Sequence, residues 1–355
     1  MGNTKSSELH PPSLSNQTSS ASKFYGVANF GNTCYLNSVF QALYHCKAFR
    51  DNLLEYYHEQ QQEQYDDDDD DDDDQVREPT LLSLLAELFD YINNSNEQNG
   101  TLEPKDFVEH VQQRNAMFVG TQHQDAHEFL HFLLSDLSET INEQRGHQQH
   151  EDSSIPNFIE ALFGGVFTNR MQCLRCDSIS SRDEKFMDLS IDISDHSSLS
   201  HCLGQFGRRE LLFADCKFRC SQCLSLQEAH KWLQVKRQPR VLICHLKRFK
   251  YTESMEFKKL CCRVCFSQHL RLPNLVEDLE PCLYELFAVV VHIGSGSSHG
   301  HYNMIVYITS LVLFMIQIIM MAIYYFINKY PEFPFTFFDS SVFKHIKSVS
   351  ALIFK

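Results

Sequence analysis

The chain has 355 residues, of which 43% are hydrophobic, and it carries a formal net charge of −15. A chain of this length and composition can bury one large core or two modest ones, so a wholly disordered protein is excluded. The acidic balance makes nucleic acid an unsuitable partner, although nine consecutive aspartates at positions 66–74 supply much of the charge.

The N-terminal region is predicted to be disordered and to carry a lipidation signal. Residues 1–23 are rich in serine and asparagine. Met1-Gly2-Asn3-Thr4-Lys5-Ser6 fits the acceptor pattern for N-myristoylation, which would place a lipid on Gly2. Short motifs also occur by chance, so an ordinary unmodified N-terminus is the alternative. A single lipid of this kind gives only reversible membrane attachment.

The next segment places a cysteine where a nucleophile is expected. A polar turn, Asn29-Phe30-Gly31-Asn32-Thr33, leads into Cys34, and apolar residues follow Cys34 at helical spacing. A thiol at a helix N-terminus lies at the positive end of the helix dipole, which favours the nucleophilic thiolate. Asn29 is placed to direct its amide toward a developing oxyanion. These features predict a catalytic Cys34, and a buried structural cysteine is the alternative.

Helical and strand patterns occupy different parts of the chain. A polar and acidic loop is predicted at residues 59–78, and apolar residues recur at helical spacing at 81–92 and 125–137. In the second half, shorter apolar runs rich in β-branched residues predict strands, most clearly at 241–249 and 283–293. Helices first and strands later predict an α+β fold.

Two Cys-x-x-Cys pairs have the spacing of a zinc site. They are Cys173 with Cys176 and Cys220 with Cys223. Such pairs can present four thiolates tetrahedrally to one Zn²⁺, whose bonds hold together a subdomain with little core of its own. Thirteen cysteines behind a polar N-terminus indicate a reducing compartment, which favours zinc over disulfides. A rival pair, Cys262 and Cys265, lies in a predicted strand where side chains three apart point to opposite faces, so it is excluded. Cys216 is an alternative ligand.

Four motifs, taken in order, resemble those of the ubiquitin-specific protease family, also called ubiquitin carboxyl-terminal hydrolases. Residues 26–38 resemble the family's Cys box, and Gly300-His301-Tyr302 resembles the core of its His box. Residues 123–130 and 245–249 match further landmarks between the two boxes. The resemblance covers roughly residues 24–306 and is nearest to the hydrolase 12 and 46 branch of the family.

The resemblance implies a papain-like cysteine protease fold with a thumb, a palm and zinc-bearing fingers. The catalytic domain would span residues 24–346, with the fingers at about 165–240 and a tail at 347–355. Structural Zn²⁺ would occupy the two Cys-x-x-Cys pairs. The substrates would be ubiquitin and its protein conjugates, and WD40-repeat proteins would act as activators.

The resemblance also implies roles for individual residues. His301 would be the base that activates the thiol, and Asp339 would be the acid that orients His301. These two are 38 residues apart, whereas a strand, a turn and a second strand need about 15, so a surface aspartate is the alternative for Asp339. Asp125, with Gln124, would contact the extended basic tail of ubiquitin, and a helix cap is the alternative for Asp125.

The segment at residues 304–327 does not fit this pattern, because it has 24 residues and no charge. As a helix it would extend about 36 Å, more than a hydrocarbon core of about 30 Å. It begins three residues after His301, where a membrane span would pull the base away from Cys34. It is therefore a membrane anchor, an apolar insertion packed against the fold, or a segment foreign to the working enzyme, and the last interpretation is preferred.

The sequence thus predicts a cysteine deubiquitinase that cleaves the peptide or isopeptide bond after the C-terminal glycine of ubiquitin. One alternative is a catalytically impaired ubiquitin-binding scaffold, because the apolar segment after His301 interrupts the catalytic half of the domain. The C-terminus is disrupted or extended, and the terminal strand expected after Ile346 is missing. The other alternative is a membrane-anchored variant. We expect a cytoplasmic location, with a nuclear one as the alternative, and membrane association only through Gly2 or residues 304–327.

Overall fold

The computed structural model describes residues 23–67, 78–120, 122–147, 157–251, 255–294, 296, 300–306 and 349–355. In these residues the α-helices are α1 Cys34–His45, α2 Lys47–Asp67, α3 Leu81–Asn94, α4 Lys105–Arg114, α5 Ala126–His147, α6 Phe158–Phe163 and α7 Leu199–Phe206. The strands are β1 Phe24–Val27, β2 Asn99–Leu102, β3 Gly165–Cys173, β4 Ile179–Phe186, β5 Leu189–Asp192, β6 Ser197–Ser198, β7 Glu210–Leu212, β8 Phe218–Cys220, β9 Ser225–Gln227, β10 Ala229–Arg237, β11 Leu242–Lys247, β12 Phe249–Tyr251, β13 Phe257–Lys259, β14 Val264–Cys265, β15 His269–Leu270, β16 Tyr284–Ile293, β17 His301–Val306 and β18 Val349–Phe354.

The helices of the first half pack around one apolar core. α1 contacts α2 and α5, and α3 contacts α2, α4 and α5. Side chains at helical spacing fill the space between them, with Phe40, Phe89 and Phe129 almost completely buried. α3 begins where a Thr80–Ser83 capping box satisfies its first amides. The helices predicted at 81–92 and 125–137 are confirmed.

A six-stranded sheet forms the centre of the second half. Its strand order is β15-β16-β18-β11-β5, and β17 also pairs with β16. β18 lies antiparallel between β16 and β11, with Leu352 and Phe354 fully buried. The prediction that residues 347–355 form a tail, and that the terminal strand is missing, was therefore wrong. Ala351 and Ile353 pack into one core and Leu352 and Phe354 into the other, on opposite faces of the sheet, and this burial places the strand at the centre of the sheet.

A four-stranded sheet in the order β4-β3-β10-β7 extends the structure, and it carries a short hairpin of β8 and β9. Seven of the eight residues of β4 are exposed, so this sheet buries little apolar surface along that strand. The α+β arrangement predicted from the sequence is confirmed.

Three further expectations are corrected by the structure. α2 continues to Asp67, so the first part of the loop predicted at 59–78 is helical, because residues 47–67 contain neither glycine nor proline. The run around Cys262 and Cys265 is a strand only at Val264–Cys265. The apolar segment 304–327 begins as the last three residues of β17, not as a helix, and the rest of it lies outside the described residues. Among the described residues, none of the helices is both long and apolar enough to cross a bilayer.

Candidate active site

The turn before Cys34 is built by a few specific side chains. Gly31 and Asn32 both adopt left-handed backbone conformations, with φ of 65° and 62°, which glycine and asparagine tolerate best. Asn29 Oδ1 accepts hydrogen bonds from Thr33 N at 2.9 Å and Thr33 Oγ1 at 3.0 Å. Thr33 Oγ1 accepts in turn from Phe30 N at 3.0 Å. This closed turn delivers Cys34 as the first residue of α1.

Cys34 is buried, and the helix that carries it is tied to the preceding chain. Asn37 Nδ2 donates to Val27 O at 3.1 Å and to Ala28 O at 3.2 Å. Among the described atoms, Asn37 Oδ1 is buried without a hydrogen-bond partner. Sequence reasoning missed Asn37, although its position one turn after Cys34 on the same helix face was a usable signal.

Cys34 and His301 line the same cavity, which has a volume of about 300 Å³. His301 is the first residue of β17, where it pairs with Ile293 of β16, and β17 packs against α1. Asn29 also lines this cavity. The structure thus brings together the three predicted catalytic residues that it describes, although they lie up to 272 positions apart in the sequence.

The environment of His301 favours the neutral imidazole. Burial lowers the pKa of His301, and the charge of His123 lowers it further, whereas a hydrogen bond with the Asn303 side chain acts in the opposite direction. Asn303 lies two residues after His301 and so faces the same side of β17. Sequence reasoning missed Asn303, whose signal was this alternation. A neutral imidazole is the form that can accept a proton from a thiol.

The residues predicted to contact the substrate lie where α5 meets β17. Asp125 Oδ1 accepts a hydrogen bond from His127 N at 2.7 Å, so this oxygen caps α5, as the helix-cap alternative predicts. The charge of Asp125 also acts on a residue of β17: burial raises the pKa of Tyr302, and the charge of Asp125 raises it further. Gln124 precedes Asp125 and is half-buried. Asp125 can therefore cap α5 with Oδ1 and still contact the substrate through its second carboxylate oxygen, as predicted.

Two predicted residues, Asp339 and Gly2, lie outside the described residues. Their roles as orienting acid and lipidation site stay predictions.

A second cluster brings together the sulfur atoms of both Cys-x-x-Cys pairs. Cys173 ends β3 and Cys176 lies in the turn after it, whereas Cys220 and Cys223 lie on the β8–β9 hairpin. All four sulfur atoms lie within 4.8 Å of one another, with Cys176 Sγ to Cys220 Sγ at 3.6 Å. Sulfur atoms bound tetrahedrally to one Zn²⁺ are about 3.8 Å apart. The cluster therefore has the dimensions of a metal site, and Cys216 and Cys262 do not belong to it.

The thiols of this cluster also differ in acidity. Hydrogen bonds from the Cys223 backbone and from Ser178 lower the pKa of Cys220 to about 6. Contact with Cys176 and burial raise the pKa of Cys223 to about 12. Four thiolates so close together repel one another unless a cation lies between them. The donor set therefore fits a divalent metal ion.

Comparisons with known proteins agree with this geometry. Residues 25–346 match the family model described as ubiquitin carboxyl-terminal hydrolase. The chain is 40% identical over 313 residues to ubiquitin carboxyl-terminal hydrolase 4 of Arabidopsis thaliana, covering 81% of this chain and 82% of that protein. It is 40% identical over 302 residues to ubiquitin carboxyl-terminal hydrolase 12 of Salmo salar, covering 80% and 77%.

Solved structures show the same fold. The SAGA Ubp8/Sgf11/Sus1/Sgf73 deubiquitinase module bound to ubiquitin aldehyde superposes with a TM-score of 0.69 at 21% identity, covering 93% of this chain and 69% of that one. A variant of this module bound to monoubiquitin gives a TM-score of 0.68 at 21% identity, covering 93% and 68%. The papain-like fold expected from the sequence is thereby confirmed. The family model and the two relatives show that this chain belongs to the ubiquitin carboxyl-terminal hydrolase family.

Proposed function

We propose that this chain is a thiol-dependent deubiquitinase that hydrolyses the peptide or isopeptide bond after the C-terminal glycine of ubiquitin. The observation that carries the proposal is the cavity shared by Cys34, His301 and Asn29 in a chain of this family. Membership of the family supports ubiquitin as the substrate.

The chemistry follows from the two principal groups. Neutral His301 takes the proton of Cys34, and the thiolate attacks the carbonyl carbon of the ubiquitin C-terminal glycine. The bond to the leaving amine breaks as His301 returns the proton to that amine, which leaves a thioester on Cys34. Water, activated by His301, then hydrolyses the thioester and restores the free thiol.

Two further groups assist in this proposal. Asn29 uses Oδ1 to hold the turn, so its Nδ2 group is the end that donates to the oxyanion of the tetrahedral intermediate. From the resemblance to the family, we assign Asp339 the role of orienting His301. The Asn303 side chain forms a hydrogen bond with the same ring.

A ubiquitin probe with a cysteine-reactive group at its C-terminus tests the proposal. We expect the wild-type chain to form a covalent adduct, and Cys34→Ala to form none. Cys46→Ala is the matched control, because Cys46 is also buried and lies just after α1. Ubiquitin binding without an adduct would overturn the proposal in favour of the scaffold. The terminal strand expected after Ile346 is present as β18, whereas the apolar segment that motivates the scaffold alternative lies, beyond β17, outside the described residues.

We propose Zn²⁺ as the metal held by Cys173, Cys176, Cys220 and Cys223. The ion would join the turn after β3 to the β8–β9 hairpin and so stabilise a sheet with one largely exposed strand. The role is structural, because four protein ligands leave no open position for substrate.

We propose a WD40-repeat activator that contacts the fingers. The resemblance to the hydrolase 12 and 46 branch supports this partner, and so do large exposed apolar side chains in this region. They are Leu174, Ile179, Leu211, Phe213, Leu224 and Leu226. Leu224→Asp is expected to abolish activation by such a partner while basal turnover stays unchanged, as measured with a fluorogenic ubiquitin substrate.

We propose a cytoplasmic location, which is supported by thirteen cysteines, none of which forms a disulfide in the described part of the chain. Fractionation of cells expressing the wild-type chain and Gly2→Ala would test both this location and membrane association through the lipid.

A further inference from the structure

A buried lysine contacts β16, the strand that pairs with the His301-bearing strand β17. Lys259 ends β13 and is only 5% exposed. Its ammonium group donates to His292 Nδ1 at 2.8 Å, to His292 O at 2.8 Å and to Gly294 O at 2.7 Å. An ammonium group has three donors, so these acceptors satisfy it fully. Two of them are backbone carbonyls: one belongs to the penultimate residue of β16 and the other to Gly294, the first residue of the connection from β16 to β17.

His292 carries this contact to the other end of the same connection. The residue lies on β16 opposite Tyr302 of β17, and the two rings are 4.7 Å apart. A Cβ atom at Gly300 would lie 2.3 Å from His292 Nε2, so the ring fills the space that a side chain at Gly300 would need. Gly300 immediately precedes His301. The Lys259 ammonium group thus contacts one end of the β16–β17 connection directly and the other through a single ring.

The protonation state of His292 suits this arrangement. Burial and the charge of Lys259 lower the pKa of His292 to about 4. The ring is therefore neutral at neutral pH, and its Nδ1 atom can accept the proton that Lys259 donates. The other titratable groups that act on this ring are Asp125, His123 and His301.

We infer that Lys259 is a positioning residue that fixes both ends of the β16–β17 connection, one directly and one through His292, and thereby keeps His301 in the cavity that it shares with Cys34. The inference rests on the proposed function, since it concerns the placement of the base. A buried ammonium costs desolvation free energy, and an apolar side chain of the same length would fill the space without that cost. The contacts of Lys259 are therefore better explained by placement of His301 than by stability alone.

Lys259→Met tests the inference, because it removes the three donors and keeps the length of the side chain. We expect kcat for a fluorogenic ubiquitin amide to fall about 10²-fold, the loss typical of a catalytic group displaced by about 1 Å. Affinity for free ubiquitin should stay within about twofold of wild type. Alkylation of Cys34 by iodoacetamide at pH 7, followed by peptide mass spectrometry, should slow as well. Lys258→Met is the matched control, because Lys258 is the neighbouring residue and is exposed.

His292→Phe provides a second route in case Lys259→Met fails to fold. It keeps a ring beside Gly300 and removes the Nδ1 acceptor. We expect a fall in kcat, and no fall beyond that of Lys259→Met when both substitutions are combined, because they break one chain of contacts. Wild-type kcat in folded Lys259→Met, or additive losses in the double variant, would overturn the inference. Absence of turnover in the wild-type chain would instead overturn the proposed function, and the inference with it.

Discussion

Asn29 holds the turn before Cys34 through its Oδ1 atom, so a substitution can remove the Nδ2 donor while it keeps the acceptor that the turn needs. Asn29→Asp keeps an acceptor for Thr33 and replaces the donor with a second oxygen. We expect kcat to fall 10²–10³-fold, the loss typical of removing one oxyanion donor. KM and the melting temperature should change little. The measurement is steady-state hydrolysis of a fluorogenic ubiquitin substrate, with Asn99→Asp as the control, because Asn99 is an exposed residue of β2.

A fall in ubiquitin affinity equal to the fall in kcat/KM would contradict an oxyanion role for Asn29. Asn29→Ala is a less informative variant, since it removes the acceptor of the turn together with the donor.

The sequence identifies candidate catalytic residues most directly where the chemistry is local. Cys34, Asn29 and the turn between them lie within six consecutive positions, so their relation is visible in one segment. His301 needed the family resemblance, because 18 histidines compete for the role. Lys259 was not predicted at all. Its acceptor His292 lies 33 residues away, and only strand pairing brings the two together.

The last strand is short, yet it occupies the centre of the six-stranded sheet. Leu352 of β18 is fully buried between β16 and β11. We expect Leu352→Ala to lower the free energy of unfolding by about 2–5 kcal/mol, because it opens a cavity in a packed core. Urea unfolding followed by circular dichroism measures this change, with Lys355→Ala at the exposed end of the chain as the control.

A change below about 0.5 kcal/mol for Leu352→Ala would show that the packing of β18 contributes little to the stability of the fold, since surface substitutions fall in that range. Sequence reasoning missed β18 for a physical reason. A six-residue segment carries little periodicity of its own, and its partner strands lie about 60 and 100 residues earlier in the chain. By contrast, β16 is a run of ten largely apolar residues that was predicted correctly, because the sheet is covered on both faces.

Helix α5 is joined to the six-stranded sheet, called the palm sheet below, by a half-buried polar cluster. The rings of His127 and His245 stack with centroids 3.7 Å apart, and His127 Nε2 lies 3.2 Å from Asp188 Oδ1. Burial, followed by the charge of His127, lowers the pKa of His245 to about 3. An unfolded histidine has a pKa of about 6.5. Between these values the unfolded chain binds the additional proton, so stability falls as the pH falls from about 6.5 toward 3.

This linkage predicts that His245 alone removes about 2 kcal/mol of stability between pH 7.5 and pH 5. His245→Gln should therefore flatten the pH dependence of the free energy of unfolding over that range. His269→Gln, at an exposed position on β15, should leave the dependence unchanged. Urea titrations at the two pH values measure both variants. Equal slopes for wild type and His245→Gln would show that the histidine is not held neutral in the fold.

At the scale of the whole molecule, the palm sheet separates two apolar cores. Side chains of β16 and β18 alternate between them: Val290 and Ile353 face the helical core, while Val289 and Leu352 face the core that includes α7. The fingers sheet continues from the second core but leaves most of β4 exposed. Its far end therefore depends on the four-cysteine cluster more than on buried apolar area.

Loss of the metal should consequently loosen the fingers and spare the catalytic cavity. We expect the wild-type chain to contain one Zn²⁺ by elemental analysis, and Cys176→Ser to contain less than half of that amount. Proteolysis within residues 165–240 should accelerate, and hydrolysis of a ubiquitin substrate should weaken mainly through KM, because the fingers lie outside the cavity that holds Cys34 and His301.

Cys216→Ser is the matched control for this prediction, because Cys216 is close in sequence to the second Cys-x-x-Cys pair but is not part of the cluster. It should retain the full zinc content and wild-type KM. Alkylation of Cys34 by iodoacetamide should proceed at the wild-type rate in both variants, which would separate a fingers defect from a damaged active site. Unchanged zinc content in Cys176→Ser would contradict the four-cysteine site, and slowed alkylation of Cys34 would contradict the independence of the two regions.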